Sequence, residues 1–258
     1  IIEEMSKLRL HKAQLLGYED YASYVLEANM AKDVPTVDKF LADLFKPALK
    51  VAKKELKELQ EIADFQTLYT EPVTVESWDW WYYAEMLRKA KYNFDENELK
   101  PYLSLNNVRD GMFMVANKLY GITFNQRTDI PVYFDGVETW EVKEKDGSHI
   151  GIIYLDYYPR DSKSGGAWCT SFREAGYDIE GNKITPLVSL VLNFTPPTGN
   201  TPALLSWDET ETLWHEFGHG LHALFSDGKY SRTCGNVPRD YVELPSQVME
   251  NWAGDPEV

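Results

Sequence analysis

The sequence predicts a mainly α-helical chain with a small β-sheet, an α+β fold, on three observations. Apolar residues recur at helical spacing through about the first 120 residues, the period falls to two between Val137 and Phe194, and helical spacing returns from about Trp207. In the first stretch Met5, Leu8, Leu15, Leu16, Tyr21, Val25 and Leu26 trace one face of a helix expected from Glu3 to Met30, punctuated by Asp33-Val-Pro-Thr36. A second helix is expected from about Thr36 to Ala63, with Pro47 as a kink or break and the Lys53 to Glu61 charges as a solvated face. After a turn at Tyr69-Thr-Glu-Pro72, a third helix opens at Asp79-Trp-Trp-Tyr-Tyr83, with Ser77 or Asp79 as its cap, and a fourth runs from Leu105 to Tyr120 and stops at Gly121. Val137 to Lys143 and His149 to Asp156 read as a hairpin around Asp146-Gly147, and Leu187 to Phe194 as a further strand. Between them lies a loop containing Gly165-Gly166-Ala167-Trp168. The change of period divides a helical region, 1–130, from a small sheet with the last helices, 131–258, the two expected to form one continuous body.

A chain of 258 residues at 43% hydrophobic can bury a good core. Its net charge of −15 argues against nucleic acid and anionic membrane as partners, since both would be repelled. No apolar run approaches the roughly 18 residues of a membrane helix. Cys169 and Cys234 make no disulfide framework and suit a reducing compartment, so a cytoplasmic location is expected. The opening Ile1 to Lys7 has no initiator Met and reads as a cut amphipathic helix rather than a signal, which leaves a periplasmic location open. Nucleotide-binding glycine patterns do not occur.

The chemistry concentrates at His215-Glu216-Phe217-Gly218-His219, inside a helix read from Trp207 to Phe225. His215 and His219, four residues apart, project from nearly the same side, so two imidazoles can reach one cation. Glu216 flanks it, where a carboxylate can deprotonate a water held at the cation. The bland alternative is a surface helix that carries histidines. Catalytic zinc sites take three protein ligands and leave one position open, and Glu243, 24 residues beyond His219, supplies a third from the next helix. His222 falls on a similar face, and a fourth ligand would close the open position, so it is expected near the ion rather than on it, as are Glu211 and Glu250.

The run HEFGHGLHALF followed by PRDYVELPSQVMENW resembles the M3 family of zinc oligopeptidases, with further likeness at Gly165-Gly-Ala-Trp168, Val108-Arg-Asp-Gly-Met-Phe113 and Asp79-Trp-Trp-Tyr-Tyr83. The resemblance covers essentially the whole chain. It implies a zincin-like core, one zinc ion per chain on His215, His219 and Glu243, Glu216 as general base, and Gly165, Gly166 and Ala167 in contact with an oligopeptide substrate. The glycines alone read equally well as a plain turn. Arg160 to Trp168 and Val237-Pro-Arg-Asp240 look more like the dipeptidyl carboxypeptidase branch. The expected activity is therefore release of C-terminal dipeptides, with internal cleavage of oligopeptides as one alternative and a non-catalytic, zinc-stabilised peptide-binding scaffold as another. The family's Tyr and His donors to the oxyanion belong to a segment beyond Trp252, so a fragment of a larger peptidase is expected, lacking N- and C-terminal parts, unless Tyr241 or Tyr230 supplies the donor.

Overall fold

The computed structural model describes residues 1–66, 71–93, 95–199, 201–230 and 233–258. Tyr69 and Thr70 of the expected turn lie outside them. The chain forms two compact units, Ile1–Asp95 and Glu96–Val258. The boundary thus falls well before Pro131, where the period changes. The helix at Leu105 has the 3.6-residue spacing of the first third, but its buried face belongs to the core of the sheet.

The first unit holds α1 (Ile2–Leu15), α2 (Tyr21–Leu26), α3 (Val34–Gln66) and α4 (Trp80–Tyr92). The single helix expected from Glu3 to Met30 is broken: Gly17 adopts φ +88°, and Asp20 caps α2 by accepting from the Ser23 N–H at 2.8 Å. By contrast, α3 runs through Pro47 without ending. Leu59, Ala63, Val75 and Tyr83 form this unit's core. The Gln60 amide ties the incoming chain to α3, donating to the Val73 carbonyl at 2.7 Å and accepting from the Val75 N–H at 2.9 Å. Asp79 stands at the N-terminus of α4, where its side chain takes no capping bond from the helix and accepts instead from the Glu76 N–H.

The second unit contains α5 (Leu105–Tyr120), β1 (Thr123–Gln126), β2 (Glu138–Lys143), β3 (His149–Asp156), β4 (Trp168–Arg173), the short pair β5 (Gly176–Tyr177) and β6 (Lys183–Ile184), β7 (Leu187–Val191), α6 (Trp207–Leu224) and α7 (Leu244–Glu250). The main sheet has the order β1-β2-β3-β7-β4, with β3 and β7 parallel and the other neighbours antiparallel. Strand β4, read in the sequence as loop, is therefore an edge. Its residues are half-buried or exposed, and a register shift between Ser171 and Arg173 removes the alternation that marks a strand.

Helix α6 begins on a capping box. The Ser206 hydroxyl accepts from the Glu209 N–H at 3.1 Å, and the Glu209 carboxylate accepts from the Ser206 N–H at 2.8 Å. Leu213, Phe217, Leu221 and Leu224 recur at helical spacing and are all buried, joined by Trp214. Burial of each large side chain contributes roughly 1.5–3 kcal/mol, which fixes this face into the core shared with Ile153, Val188 and Leu190. Gly220 allows the close approach to the sheet, since a Cβ there would stand 3.1 Å from Leu190.

Candidate metal and active site

Once the apolar stripe of α6 is buried, the placement of its histidines follows. His215 and His219, each half-buried, lie one turn apart with ring centroids 4.9 Å apart. Helix α7 then crosses α6 at Gly218. A Cβ on Gly218 would sit 2.5 Å from the Pro245 carbonyl oxygen and 2.5 Å from the Ser246 Cα, so only glycine admits this approach. Glu243, expected inside the second helix, is its N-cap residue, one position before the first turn. Its Oε2 stands 3.2 Å from His215 Nε2 and 3.0 Å from His219 Nε2. The Ser246 hydroxyl donates to the same oxygen at 2.9 Å.

These three residues each offer one ligand atom, all within 4.8 Å of one another. A tetrahedral ion with bonds of about 2.0–2.1 Å separates its ligand atoms by roughly 3.3 Å. The observed 3.0 and 3.2 Å separations match that edge, and two imidazoles with one carboxylate are a donor set suited to zinc. The residues fit a bound metal. On the far side of His215, Nδ1 lies 2.6 Å from Glu250 Oε1. A proton on Nδ1 donated to Glu250 leaves the Nε2 lone pair facing Glu243 and His219.

The electrostatics follow from burial and these neighbours. Burial pushes Glu216 up to about 7, with His215 opposing and the Glu243 carboxylate adding to the rise. One oxygen of Glu216, Oε2, is buried with no hydrogen-bond partner among the described residues, a costly arrangement for a purely structural carboxylate. A cation at the triad would draw Glu216 back toward the ionised form. Burial holds His219 below its ordinary value despite Glu243. For Glu243 burial acts upward, but the Ser246 hydroxyl and the two imidazoles outweigh it and keep the carboxyl low.

A cleft of about 560 Å³ joins His215, Glu216, His219 and Glu243 to the edge strand through Ala167, Trp168, Cys169 and Thr170. His222 and Glu174 line it further along. Of the segment expected to meet substrate, Ala167 reaches the cleft wall, whereas Gly165 and Gly166 lie just before it. Glu211 shares a second cavity, about 320 Å³, with His215, Glu216 and Glu250. Burial pushes the Cys169 thiol up to about 12, which makes it inert as a nucleophile. Cys234 is buried, and neither cysteine is in a disulfide. A larger concavity of about 1070 Å³, lined by Tyr177, Asp178, Asp227 and Tyr230 among others, does not include the histidine pair. Tyr230 faces that concavity, and Tyr241 is not among the residues lining the cleft. Sequence reading missed β4 as a cleft wall; the β-branched and aromatic residues in Trp168-Cys-Thr-Ser-Phe-Arg173 were its available signal.

An α+β fold whose HExxH helix faces a carboxylate from the next helix has the layout of a zincin-like metallopeptidase core, with a possible metal site on His215, His219 and Glu243. The profile of peptidase family M3 matches residues 1–258, and the chain belongs to that family. It is 42% identical over its whole length to the dipeptidyl carboxypeptidase of Salmonella typhimurium and 41% identical to that of Escherichia coli, covering 37% of each. It is 38% identical, again over its whole length, to oligopeptidase A of Salmonella typhimurium, covering 38% of that protein. The chain thus spans well under half the length of these relatives. No helix among the described residues is long and apolar enough to cross a membrane.

Proposed function

We propose that this chain carries the metal site of a zinc-dependent peptidase that hydrolyses oligopeptides and releases C-terminal dipeptides. The observation that carries the reading is the convergence of His215 Nε2, His219 Nε2 and Glu243 Oε2 beside the buried, unpartnered Glu216. Zinc, when bound, supplies a Lewis acid for the scissile carbonyl and acidifies water. His215, His219 and Glu243 hold it, and Glu250 fixes the His215 ring. Glu216, whose carboxylate lines the cleft, takes a proton from the attacking water and hands it to the leaving amine. An extended peptide pairs with the free edge of β4, so its main chain, rather than its side chains, fixes the bond to be cut. Gly165, Gly166 and Ala167 lie at the leading end of that edge, where small residues let a peptide backbone approach. His222 lines the cleft without completing the ligand set, and Glu211 supports the ligands from behind.

The names of the relatives at 41–42% identity support dipeptide release, and oligopeptidase A at 38% supports the endopeptidase reading. Glu216 argues against a non-catalytic zinc scaffold, because a structural site has no use for a base. Mass spectrometry of products from one peptide, unblocked and C-terminally amidated, tests the choice. Dipeptide release abolished by amidation is expected; internal cuts indifferent to amidation would assign endopeptidase activity instead.

A further inference from the structure

The connection from β3 to β4 is held by a network that the hydrolytic chemistry does not use. Asp156, the last residue of β3, is 3% exposed. Its carboxylate accepts from Arg160 Nη1 at 2.9 Å, from Lys163 Nζ at 3.0 Å and from the Tyr133 hydroxyl at 3.1 Å. The Lys163 side chain is 1% exposed, and its ammonium also donates to the carbonyl oxygens of Asp156 at 2.9 Å and Tyr158 at 2.8 Å, which uses all three protons. Two residues beyond β7, the Asn193 amide donates to the Ser164 carbonyl at 2.9 Å and to the Gly166 carbonyl at 2.7 Å. Residues 160 to 166 are thereby tied down at both ends.

Burying an ammonium and a carboxylate together gives little net stability over an apolar pair of similar size, so the gain lies in a defined position. What is positioned is bare backbone. Gly166 has φ +86°, which accounts for that glycine. Gly165 has no such φ, and a Cβ there would meet nothing within 4 Å, so the fold itself makes no demand for glycine. An open, rigidly held backbone beside the cleft is suited to the close approach of a ligand.

We propose that Asn193 and the Lys163–Asp156 pair are positioning residues for the peptide substrate: they hold the Gly165–Ala167 backbone and the leading end of β4 so that the peptide main chain is gripped beside Glu216. This rests on the peptidase reading above. The test uses the full-length, zinc-loaded protein and two inhibitors: acetohydroxamate, which reaches only the metal, and a peptidyl hydroxamate, whose tail lies along β4. Variants are Asn193→Ala, at a half-exposed position, and the paired Asp156→Leu with Lys163→Met, which removes both buried charges together. The expected result is one zinc per chain and an unchanged Ki for acetohydroxamate, with the peptidyl hydroxamate weakened about 10-fold and KM raised about 10-fold at nearly constant kcat. Equal weakening of both inhibitors, or of neither, would overturn the positioning role alone. Failure of the unaltered protein to bind either hydroxamate would overturn the peptidase reading, and this inference with it.

Discussion

Gly218→Ala places the sharpest demand on the proposed metal site. The added methyl group would lie 2.5 Å from the Pro245 oxygen and 2.5 Å from the Ser246 Cα, where ordinary contact begins near 3.4 Å. Both obstacles are backbone atoms, so no side-chain rotation relieves the clash and α7 must retreat by roughly 0.9 Å. Such overpacking costs about 1–3 kcal/mol of stability. The larger effect falls on Glu243, two residues before Pro245, which moves with the helix. Metal–ligand distances tolerate only about ±0.2 Å, so a shift several times larger detaches or strains one of three ligands. Zinc affinity, measured by competition with a chromogenic chelator, should fall by at least about 10-fold, beyond the lowering of Tm. Gly165→Ala, whose methyl group meets open space, is the control and should leave affinity and Tm unchanged. A Gly218→Ala protein with wild-type zinc affinity would refute the claim that the α6–α7 approach sets the third ligand.

Glu216→Gln should retain zinc by elemental analysis yet lower kcat by about 10²–10⁴, because the amide cannot accept the proton from water; retained turnover would assign the base elsewhere. Glu250→Ala removes the partner 2.6 Å from His215 Nδ1 and should weaken zinc about 10–100-fold, read by the same competition assay, with an unchanged Kd counting against an orienting role. Asp156→Asn strips the carboxylate from a Lys163 ammonium that is 1% exposed and should cost about 3–5 kcal/mol in denaturant unfolding, with a loss under 1 kcal/mol refuting the buried pair. Burial acts to raise the Asp156 carboxyl, but bonds from Arg160 and Lys163 outweigh it and hold the folded value low. Its stabilising contribution is therefore complete above the unfolded value of about 3.9 and is lost as pH falls through the lower folded value. The Tm gap between wild type and Asp156→Asn should narrow below about pH 4, and a gap that widens there would reverse the assignment.

How much of this was legible in the sequence depended on the range of each interaction. The α6 helix was, because its apolar stripe is local and strongly periodic, and so were α5 with its Gly121 stop and the hairpin around Asp146-Gly147. The gathering of His215, His219 and Glu243 also followed from spacing and family likeness. Gly17 was a local signal that an apparent continuity of apolar residues overrode. Strand β4 left only its residue types as a signal, since its half-buried or exposed positions and a register shift spoil the period. Glu250, expected near the ion, does meet His215 across 35 residues, whereas the bond from Asn193 to Gly166 spans 27 residues and nothing in its sequence neighbourhood announces it.

Glu243 differs from its companions in what holds it. The two histidines ride on a helix whose other face is locked in the core, while the Glu243 side chain remains 52% exposed at the mouth of a seven-residue helix. A metal held there would have two ligands fixed by the core and a third set by the docking of a short helix. The third ligand is placed by the seating of Leu244–Glu250 against Gly218, so a glycine that could bind no metal bears directly on the geometry of the site.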